Sequence, residues 1–435
     1  MCGSPRSIAI SARRPTSTRF WGRSPSAPAT PSRGPRSRSR APRPPPTGST
    51  ERAMASRPQP GTTVEGDRRF MELALRMARR MLGRTAPNPA VGAVIADAAS
   101  GEVIARGWTQ ERGRPHAESH VLARAGARAR GQTMYVTLEP CSHHGRTPPC
   151  ADAIVAAGVR RVVCAIADPN PEIAGRGLTV LRKAGVAVDV GLCAQEARWM
   201  AAGHLLRMTC GRPFVQLKMA VSGDGLIAPG RGAPVWVTGE EARRYAHLLR
   251  ARADAILVGR GTVTDDDPEL TCRLPGLAGR SPRRVVVDPN FRTPPTARML
   301  RTAERVPVTI FGATGSRPPA YPAGVEVRRM PAGADGRLSL AVVLESLAAE
   351  GVTRVLVEGG PRIARALVSA GLADEVVIGH GTAPVGASGR KPLDDAGLET
   401  FEDRARWRLA EDRRLGDDRI TIYRAVGRLE DEASG

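Results

Sequence analysis

The sequence predicts an α/β protein with two folded halves behind a disordered basic extension, and three observations predict it. From about residue 66 to 427, short apolar runs of strand character alternate with helix-period segments, the pattern of sheets covered by helices. A chain of 435 residues exceeds what one ordinary core fills, so more than one domain is expected. The composition also breaks sharply near the amino end. Residues 1–60 hold 12 Arg, 12 Pro and a single acid, Glu51, so half of the net charge of +22 lies there.

The segment 1–65 cannot bury enough apolar surface to offset its chain entropy, and disorder is expected. It lacks the continuous apolar stretch of a secretory signal. Its Arg-rich, Ser-rich, acid-poor composition fits an organellar transit peptide, upstream sequence translated ahead of a true start at Met54 or Met71, or a nucleic-acid-binding tail. The remaining charge excess is mild and compatible with a phosphorylated substrate. No run of about 18 apolar residues appears, so no membrane span is expected. Seven scattered cysteines argue against a disulfide framework and for a reducing, cytoplasmic home.

In the first half, 66–209, Phe70, Leu73, Met77 and Met81 recur at helical spacing and predict a helix over 67–82 whose methionine stripe is core. Strands are expected at 91–96 and 103–108, joined by the turn-like Ala98-Ala99-Ser100-Gly101. A helix over 116–128 places His116 and Glu118 in its first turn, where the helix dipole favours an acid. A strand at 133–138, a helix at 151–157, a strand at 159–166 and helices at 177–184 and 195–208 complete this half. Cys164, inside Val162-Val163-Cys164-Ala165-Ile166, reads as core packing.

The chemistry concentrates between His116-Ala117-Glu118 and Glu139-Pro140-Cys141 with Cys150. One imidazole and two thiolates suit Zn²⁺, and three protein ligands leave the fourth tetrahedral position open, as a catalytic site requires. Water activated there attacks an aromatic C–NH₂ carbon at neutral pH. Glu118, two residues from the ligand His116, is placed to move protons between that water and the leaving ammonia. His-x-Glu followed by Pro-Cys and a second Cys resembles the signature of the zinc nucleobase deaminases. The bland alternative is core packing or a closed structural zinc. His120 shares a helix face with His116, but a second histidine ligand would leave no use for both cysteines, so it reads as a packing or hydrogen-bonding residue. His143, His144 and Arg146, between the cysteines, read either as substrate contacts or as a structural loop.

The second half, 212–427, carries strand candidates at 214–219, 255–259, 284–288, 306–311, 352–358 and 375–378, alternating with helical segments such as 239–251 and 339–350. No Gly-x-Gly-x-x-Gly follows a first strand, which argues against the usual dinucleotide fold. The late turn Val357-Glu358-Gly359-Gly360-Pro361 opens a helix and lets backbone N–H groups approach a phosphate, or is an ordinary strand-to-helix turn.

Eight residues separate Cys141 from Cys150 where the generic deaminases have two. With Thr85-Ala86-Pro87-Asn88-Pro89-Ala90-Val91-Gly92 and Asp168-Pro169-Asn170-Pro171, that spacing closely resembles the deaminase half of the bifunctional pyrimidine deaminase/reductases of riboflavin biosynthesis. The second half resembles the same family through Leu217-Lys218-Met219-Ala220-Val221-Ser222-Gly223-Asp224-Gly225, Trp236-Val237-Thr238, Leu249-Arg250-Ala251, Gly261-Thr262-Val263, Asp266-Asp267-Pro268 and Leu270-Thr271-Cys272-Arg273. The resemblance covers 66–427. It implies a three-layer cytidine-deaminase-like domain and a dihydrofolate-reductase-like domain using NADPH. It further implies that Asn88 reads the base, an alternative to a plain turn residue between two prolines. Ala220, Trp236, Thr262, Asp266 and the turn Gly360, Pro361, Arg362, Ile363, Ala364, Arg365 and Ala366 would line the cofactor. Lys218, Arg250, Leu270, Arg273 and Glu358 would meet a phosphoribosylaminopyrimidine. Arg250 and Arg273 suit a phosphate because guanidinium binds it bidentately, though either alone also reads as a solvated surface charge.

Two departures stand out. The family commonly has Ser-Leu-Asp-Gly where this chain has Ser222-Gly223-Asp224-Gly225, and a hydroxyl residue then Gln where it has Pro234-Val235. Proline offers no side-chain hydrogen bond, so a substrate contact there is absent or replaced. Two other functions compete. A nucleic-acid base deaminase would interleave stacking aromatics with basic residues, yet only 3% of the chain is aromatic. A zinc-stabilised scaffold with a dead site would have no need of Glu118. Neither nucleic acid nor membrane is expected as a partner, and a homo-oligomer is compatible with the sequence.

Overall fold

The structure is a computed structural model that describes residues 64–143, 148–171, 173–228 and 236–429. Residues 1–63 of the extension expected over 1–65 lie outside the described residues, as do His144, Arg146 and Pro234-Val235, whereas Val64 and Glu65, expected to be disordered, open the first helix. The described residues fall within one compact unit, 56–435.

The first half runs α1 (Val64–Arg79), β1 (Gly92–Asp97), β2 (Glu102–Trp108), α2 (Ala117–Ala125), β3 (Thr133–Val136), α3 (Cys150–Ala156), β4 (Arg161–Cys164), α4 (Arg176–Lys183), β5 (Ala187–Val190) and α5 (Ala194–Cys210). Its sheet has the order β2-β1-β3-β4-β5. The pair β1/β2 is an antiparallel hairpin, β1 also meets β3 antiparallel, and β3, β4 and β5 run parallel. Two glycines show how the layers close. A Cβ on Gly92 would lie 1.9 Å from the Ala74 carbonyl oxygen of α1, and one on Gly107 would lie 2.6 Å from that of Ala117 in α2. Gly107 pairs with Ala93, the neighbour of Gly92, so the two glycines face opposite sides of the sheet. Helices α1 and α2 therefore cover opposite faces, giving three layers. Phe70, Met77 and Met81 are buried as the stripe predicts, and Leu73 packs against the same core.

The second half runs β6 (Phe214–Val221), α6 (Glu240–Ala251), β7 (Ala255–Gly259), α7 (Arg260–Asp266), β8 (Arg283–Val287), β9 (Val308–Ala313), β10 (Val325–Met330), α8 (Leu340–Ala349), β11 (Arg354–Val357), α9 (Pro361–Ser369), β12 (Glu375–His380), β13 (Trp407–Leu415) and β14 (Asp418–Ala425). Nine strands form one sheet in the order β10-β9-β8-β7-β11-β6-β12-β14-β13. It is parallel from β10 to β12, and β14 joins antiparallel to β12 and β13. Along β7, Ala255 and Leu257 enter one core cluster while Ile256 and Val258 enter the other. A sheet buried on both faces has continuous apolar strands, which is why these runs were legible.

The halves meet along α5. A Cβ on Gly203 would lie 2.4 Å from the Thr353 carbonyl oxygen, Trp199 packs edge-on against Phe214 with ring centroids 6.2 Å apart, and Arg207 Nε donates to the Ala348 carbonyl at 2.9 Å.

Several expectations are corrected. The helix expected over 116–128 ends at Ala125, because Gly126 takes a φ of 56° and leaves the helical region. The strands β5, β10, β13 and β14 and the short helix α7 were not anticipated. In β13 a single residue, Trp407, is fully buried, and apart from the half-buried Leu415 the rest are polar or exposed, as suits the edge of a sheet.

Candidate active sites

His116 stands at the N-cap of α2, Cys141 follows β3 by a short loop, and Cys150 is the first residue of α3. The His116 Nδ1 lies 3.6 Å from the Cys141 Sγ and 3.4 Å from the Cys150 Sγ. These three form the metal-ligating cluster found among the described residues, with all ligand atoms within 4.8 Å of one another. Tetrahedral Zn²⁺ with ordinary bond lengths separates an imidazole nitrogen from a thiolate sulfur by roughly 3.5 Å, so the donors fit that ion in both identity and spacing. The Cys141 thiol is held down to about 4 by its hydrogen bond with Cys150 and then by His116 and the Cys150 N–H, which together outweigh burial. Cys150 is pushed up by its bond with Cys141 and by burial. The pair thus holds one preformed thiolate, an anion that a cation neutralises.

Glu118, 4% exposed, sits in the first turn of α2. Burial pushes its carboxyl up to about 7, against the opposing pull of His116. A carboxyl that changes protonation near neutrality can both accept and deliver a proton.

Asn88 is a turn residue in the structure, and its side-chain amide is bonded to a neighbouring loop. Its backbone N–H closes a turn on the Thr85 carbonyl at 3.0 Å, and its side-chain amide donates to the Gly113 carbonyl at 2.9 Å, tying it to the loop that leads into His116. His120 packs edge-on against Trp108, with Nδ1 2.9 Å from Gln110 Nε2, and stands outside the ligand cluster. Cys164 is fully buried, with its thiol on the Ile166 carbonyl at 3.1 Å.

Sequence reasoning missed the support behind Cys141. The buried Glu139 carboxylate accepts four backbone N–H groups, from Asp168 at 3.1 Å, Gly175 at 2.9 Å, Gly177 at 2.9 Å and Leu178 at 3.4 Å. Asp168 in turn meets His204 Nε2 of α5 at 3.0 Å. Glu139 and Asp168 were visible as motif letters next to prolines, but nothing local marks His204, 36 residues further on.

The second site gathers at the carboxyl ends of β6, β7 and β11. Arg250 on α6 grips Glu358 bidentately, Nε and Nη2 each 2.7 Å from a carboxylate oxygen, and sends Nη1 to the Thr271 carbonyl at 3.1 Å. Burial alone would raise the Glu358 carboxyl, but the charge and hydrogen bonds of Arg250, with Lys218 beyond, hold it down to about 2. Burial lowers Lys218 on β6, with Glu358 opposing. Lys218 and Ala220 line one pocket with Thr238, Tyr245 and Leu249. Trp236 is 69% exposed, with the Arg243 guanidinium 5.0 Å from its ring centroid.

Gly360 caps α9, and a Cβ there would have Thr262 Oγ1 of α7 at 3.8 Å, so the glycine-rich turn and Thr262 come together. A dinucleotide phosphate fits such a cradle, where backbone N–H groups open a helix without a side chain in the way. Asp266, at the end of α7, is raised by burial and by Asp265. Of the rest of that turn, Pro361 is the first residue of α9 and Ile363 packs against Gly259 and Gly359. Arg365 pairs with Asp395, and Ala364, 1% exposed, is core and has only its backbone to offer. Arg362 and Ala366 lie on the same helix. Leu270, 2% exposed with a φ of 56°, is likewise core. Arg273 meets Glu269 at 3.3 Å. The Gly223 departure has a physical reason: a Cβ there would lie 2.3 Å from the Thr382 carbonyl oxygen, so a leucine does not fit.

Residues 64–166 match the family described as the cytidine and deoxycytidylate deaminase zinc-binding region, and residues 213–421 match the RibD C-terminal domain. The riboflavin biosynthesis protein RibD of Escherichia coli is 41% identical over 363 residues, covering 81% of this chain and 97% of that protein. That of Mycobacterium tuberculosis is 38% identical over 362 residues, covering 80% and 94%. Among solved structures, Acinetobacter baumannii RibD aligns with a TM-score of 0.71 at 34% identity, covering 83% of this chain and 99% of that one. A Thermotoga maritima protein described as a diaminohydroxyphosphoribosylaminopyrimidine deaminase/5-amino-6-(5-phosphoribosylamino)uracil reductase aligns with a TM-score of 0.73 at 32% identity, with the same coverage.

Proposed function

This chain belongs to the family of the riboflavin biosynthesis protein RibD, and from that we propose that it carries out two consecutive steps of riboflavin synthesis. The first half hydrolytically deaminates 2,5-diamino-6-(5-phosphoribosylamino)pyrimidin-4-one. The second half then reduces the ribosyl group of the product to ribityl with NADPH. We assign the deaminase to 66–209 and the reductase to 212–427. The observation that carries the reading is the His116, Cys141 and Cys150 cluster with buried Glu118 beside it.

His116, Cys141 and Cys150 hold the zinc, which when bound supplies Lewis-acid activation of the attacking water. Glu118 would accept a proton at its carboxylate and deliver one to the departing amine, and its burial would keep that proton from solvent. Asn88 has an amide able to read a pyrimidine edge, and Glu139 fixes the loop behind Cys141. In the second half, Lys218, Arg250, Leu270, Arg273 and Glu358 bind the phosphoribosyl substrate. Ala220, Trp236, Thr262, Asp266 and residues 360–366 bind NADPH, which supplies hydride.

We place the enzyme in the cytoplasm, because free ligand thiolates need a reducing compartment, and no described helix is long and apolar enough to cross a membrane. Nucleic acid is not among its partners, and a homo-oligomer is compatible with this reading. A coupled assay on the phosphoribosyl substrate tests the proposal. Ammonia release should precede NADPH oxidation, with one zinc per chain. Deamination of cytosine or adenine in nucleic acid, without turnover of the phosphoribosyl compound, would overturn it.

A further inference from the structure

We infer that His247 is a positioning residue of the second site: it fixes the backbone of Arg273 and so aims the Arg273 guanidinium at a phosphate-bearing substrate. The inference rests on the reading above that Arg273 meets that phosphate. Helix α6 presents His247 and Arg250 three residues apart, hence on one face. Both reach the loop that ends at Arg273. The His247 Nδ1 lies 3.1 Å from the Thr271 carbonyl oxygen and 3.3 Å from the Arg273 backbone nitrogen, while Arg250 Nη1 donates to that same Thr271 carbonyl at 3.1 Å.

The direction of a backbone N–H is set by the chain, and that of Arg273 points at Nδ1. Nδ1 is therefore the acceptor and the ring proton sits on Nε2, the neutral tautomer. Burial first, then the Arg250 and Arg273 charges, lower the imidazole and keep it neutral, with Glu358 and the Thr271 carbonyl opposing. The Thr271 carbonyl has its donor from Arg250 instead.

Each residue of the loop is thus fastened by a different group. Leu270 is held by burial, Thr271 by Arg250, Cys272 by its N–H to Ser281 Oγ at 3.1 Å, and Arg273 by His247. Arg273 is the exposed end of this series, with its guanidinium on Glu269. Without His247 its backbone would have to be ordered anew each time substrate binds, a cost that falls on binding and not on hydride transfer.

The test uses the full-length zinc-loaded enzyme, assaying reduction of the deaminated compound with and without its 5-phosphate. His247→Phe should raise KM for the phosphorylated compound roughly tenfold, with kcat nearly unchanged and the unphosphorylated compound unaffected. His247→Asn, whose oxygen stands near the Nδ1 position, should restore most of the loss. His247→Gln, whose oxygen reaches past it, should not, and this pair serves if the Phe variant folds poorly. Combined with Arg273→Gln, His247→Phe should add nothing further. Equal KM changes with both compounds, a fall in kcat, or additive effects would overturn the inference. If Arg273→Gln leaves KM for the phosphorylated compound unchanged, the assignment of Arg273 fails and His247 falls with it. If Arg273→Gln raises KM while His247→Phe does not, only the inference about His247 fails.

Discussion

Glu118 and Glu358 are both removed from water, one in each half, yet their carboxyls move in opposite directions. Burial takes Glu118 up to about 7, whereas Glu358 is held down to about 2 by the bidentate Arg250. The difference lies in the partner: among the described residues Glu118 faces a cluster of metal ligands and no guanidinium, while Glu358 is clamped at 2.7 Å on both oxygens. A group that must carry a proton is left without a fixed counter-charge. One that must stay an anion to hold a substrate or orient a cation is given one. The first site is also compact in sequence, its ligands spanning His116 to Cys150, whereas the second draws on β6, α6, the 270–273 loop and the end of β11.

The largest effect that would break this contrast is loss of the metal. Cys141→Ser should abolish both zinc binding and ammonia release, while reduction of the deaminated compound continues, because the second site shares no ligand with the first. Zinc content per chain and the two separate assays check this. Cys164→Ala, in the core, should retain the metal and both activities. Next in size, Glu118→Gln keeps shape and hydrogen bonding but cannot carry a proton. Ammonia release should fall by about 10² to 10⁴ with zinc still bound, and NADPH oxidation on the deaminated compound should persist. Deamination near the native rate would remove Glu118 from the proton path.

On the other side of the comparison, Arg250→Gln leaves Glu358 buried without its counter-charge. Breaking a buried pair in this way costs about 3–5 kcal/mol. Urea unfolding should show that loss, and the reductase KM should rise. A double replacement, Arg250→Met with Glu358→Leu, should recover stability but not reduction. If the single variant is as stable as the native protein, Arg250 is not what holds Glu358 ionised.

How much of this was legible depended on distance along the chain. The zinc ligands and Glu118 lie within 35 residues and announce themselves by residue type and spacing. The central strands were legible because burial on both faces leaves uninterrupted apolar runs. The edge strand β13 was not, because edges favour charge: Arg408, Arg413 and Arg414 hide its period. The Glu139, Asp168 and His204 network joins residues from a loop, a turn and a distant helix, and a buried polar network leaves no periodic trace. Leu270 and Ala364, named by family resemblance, have core side chains, so any part they play in binding falls to their backbone, which no side-chain pattern in the sequence could reveal.

The smallest effect sharpens the comparison most directly, because the two glutamates should give stability slopes of opposite sign. In the zinc-free protein, Glu118 has a folded value of about 7 against an ordinary 4.5, so the folded state keeps a proton that the unfolded chain releases. Stability is then fully present below about 4.5 and declines as pH rises towards 7, by roughly 3 kcal/mol over the window. Glu358, at about 2 against the same 4.5, contributes stability that is present above 4.5 and lost as pH falls towards 2. Melting curves of zinc-free native protein and of zinc-free Glu118→Gln, compared between pH 4.5 and 7, report the titration of Glu118 together with the His116 and Cys141 groups that interact with it, while Glu358 stays ionised in both throughout. The native protein should lose stability relative to the variant as pH rises, and added zinc should remove the difference by supplying the counter-charge that Glu118 lacks. Parallel curves for the two zinc-free proteins would mean that Glu118 is ionised in the folded state before metal arrives, and the two buried carboxylates would then be alike.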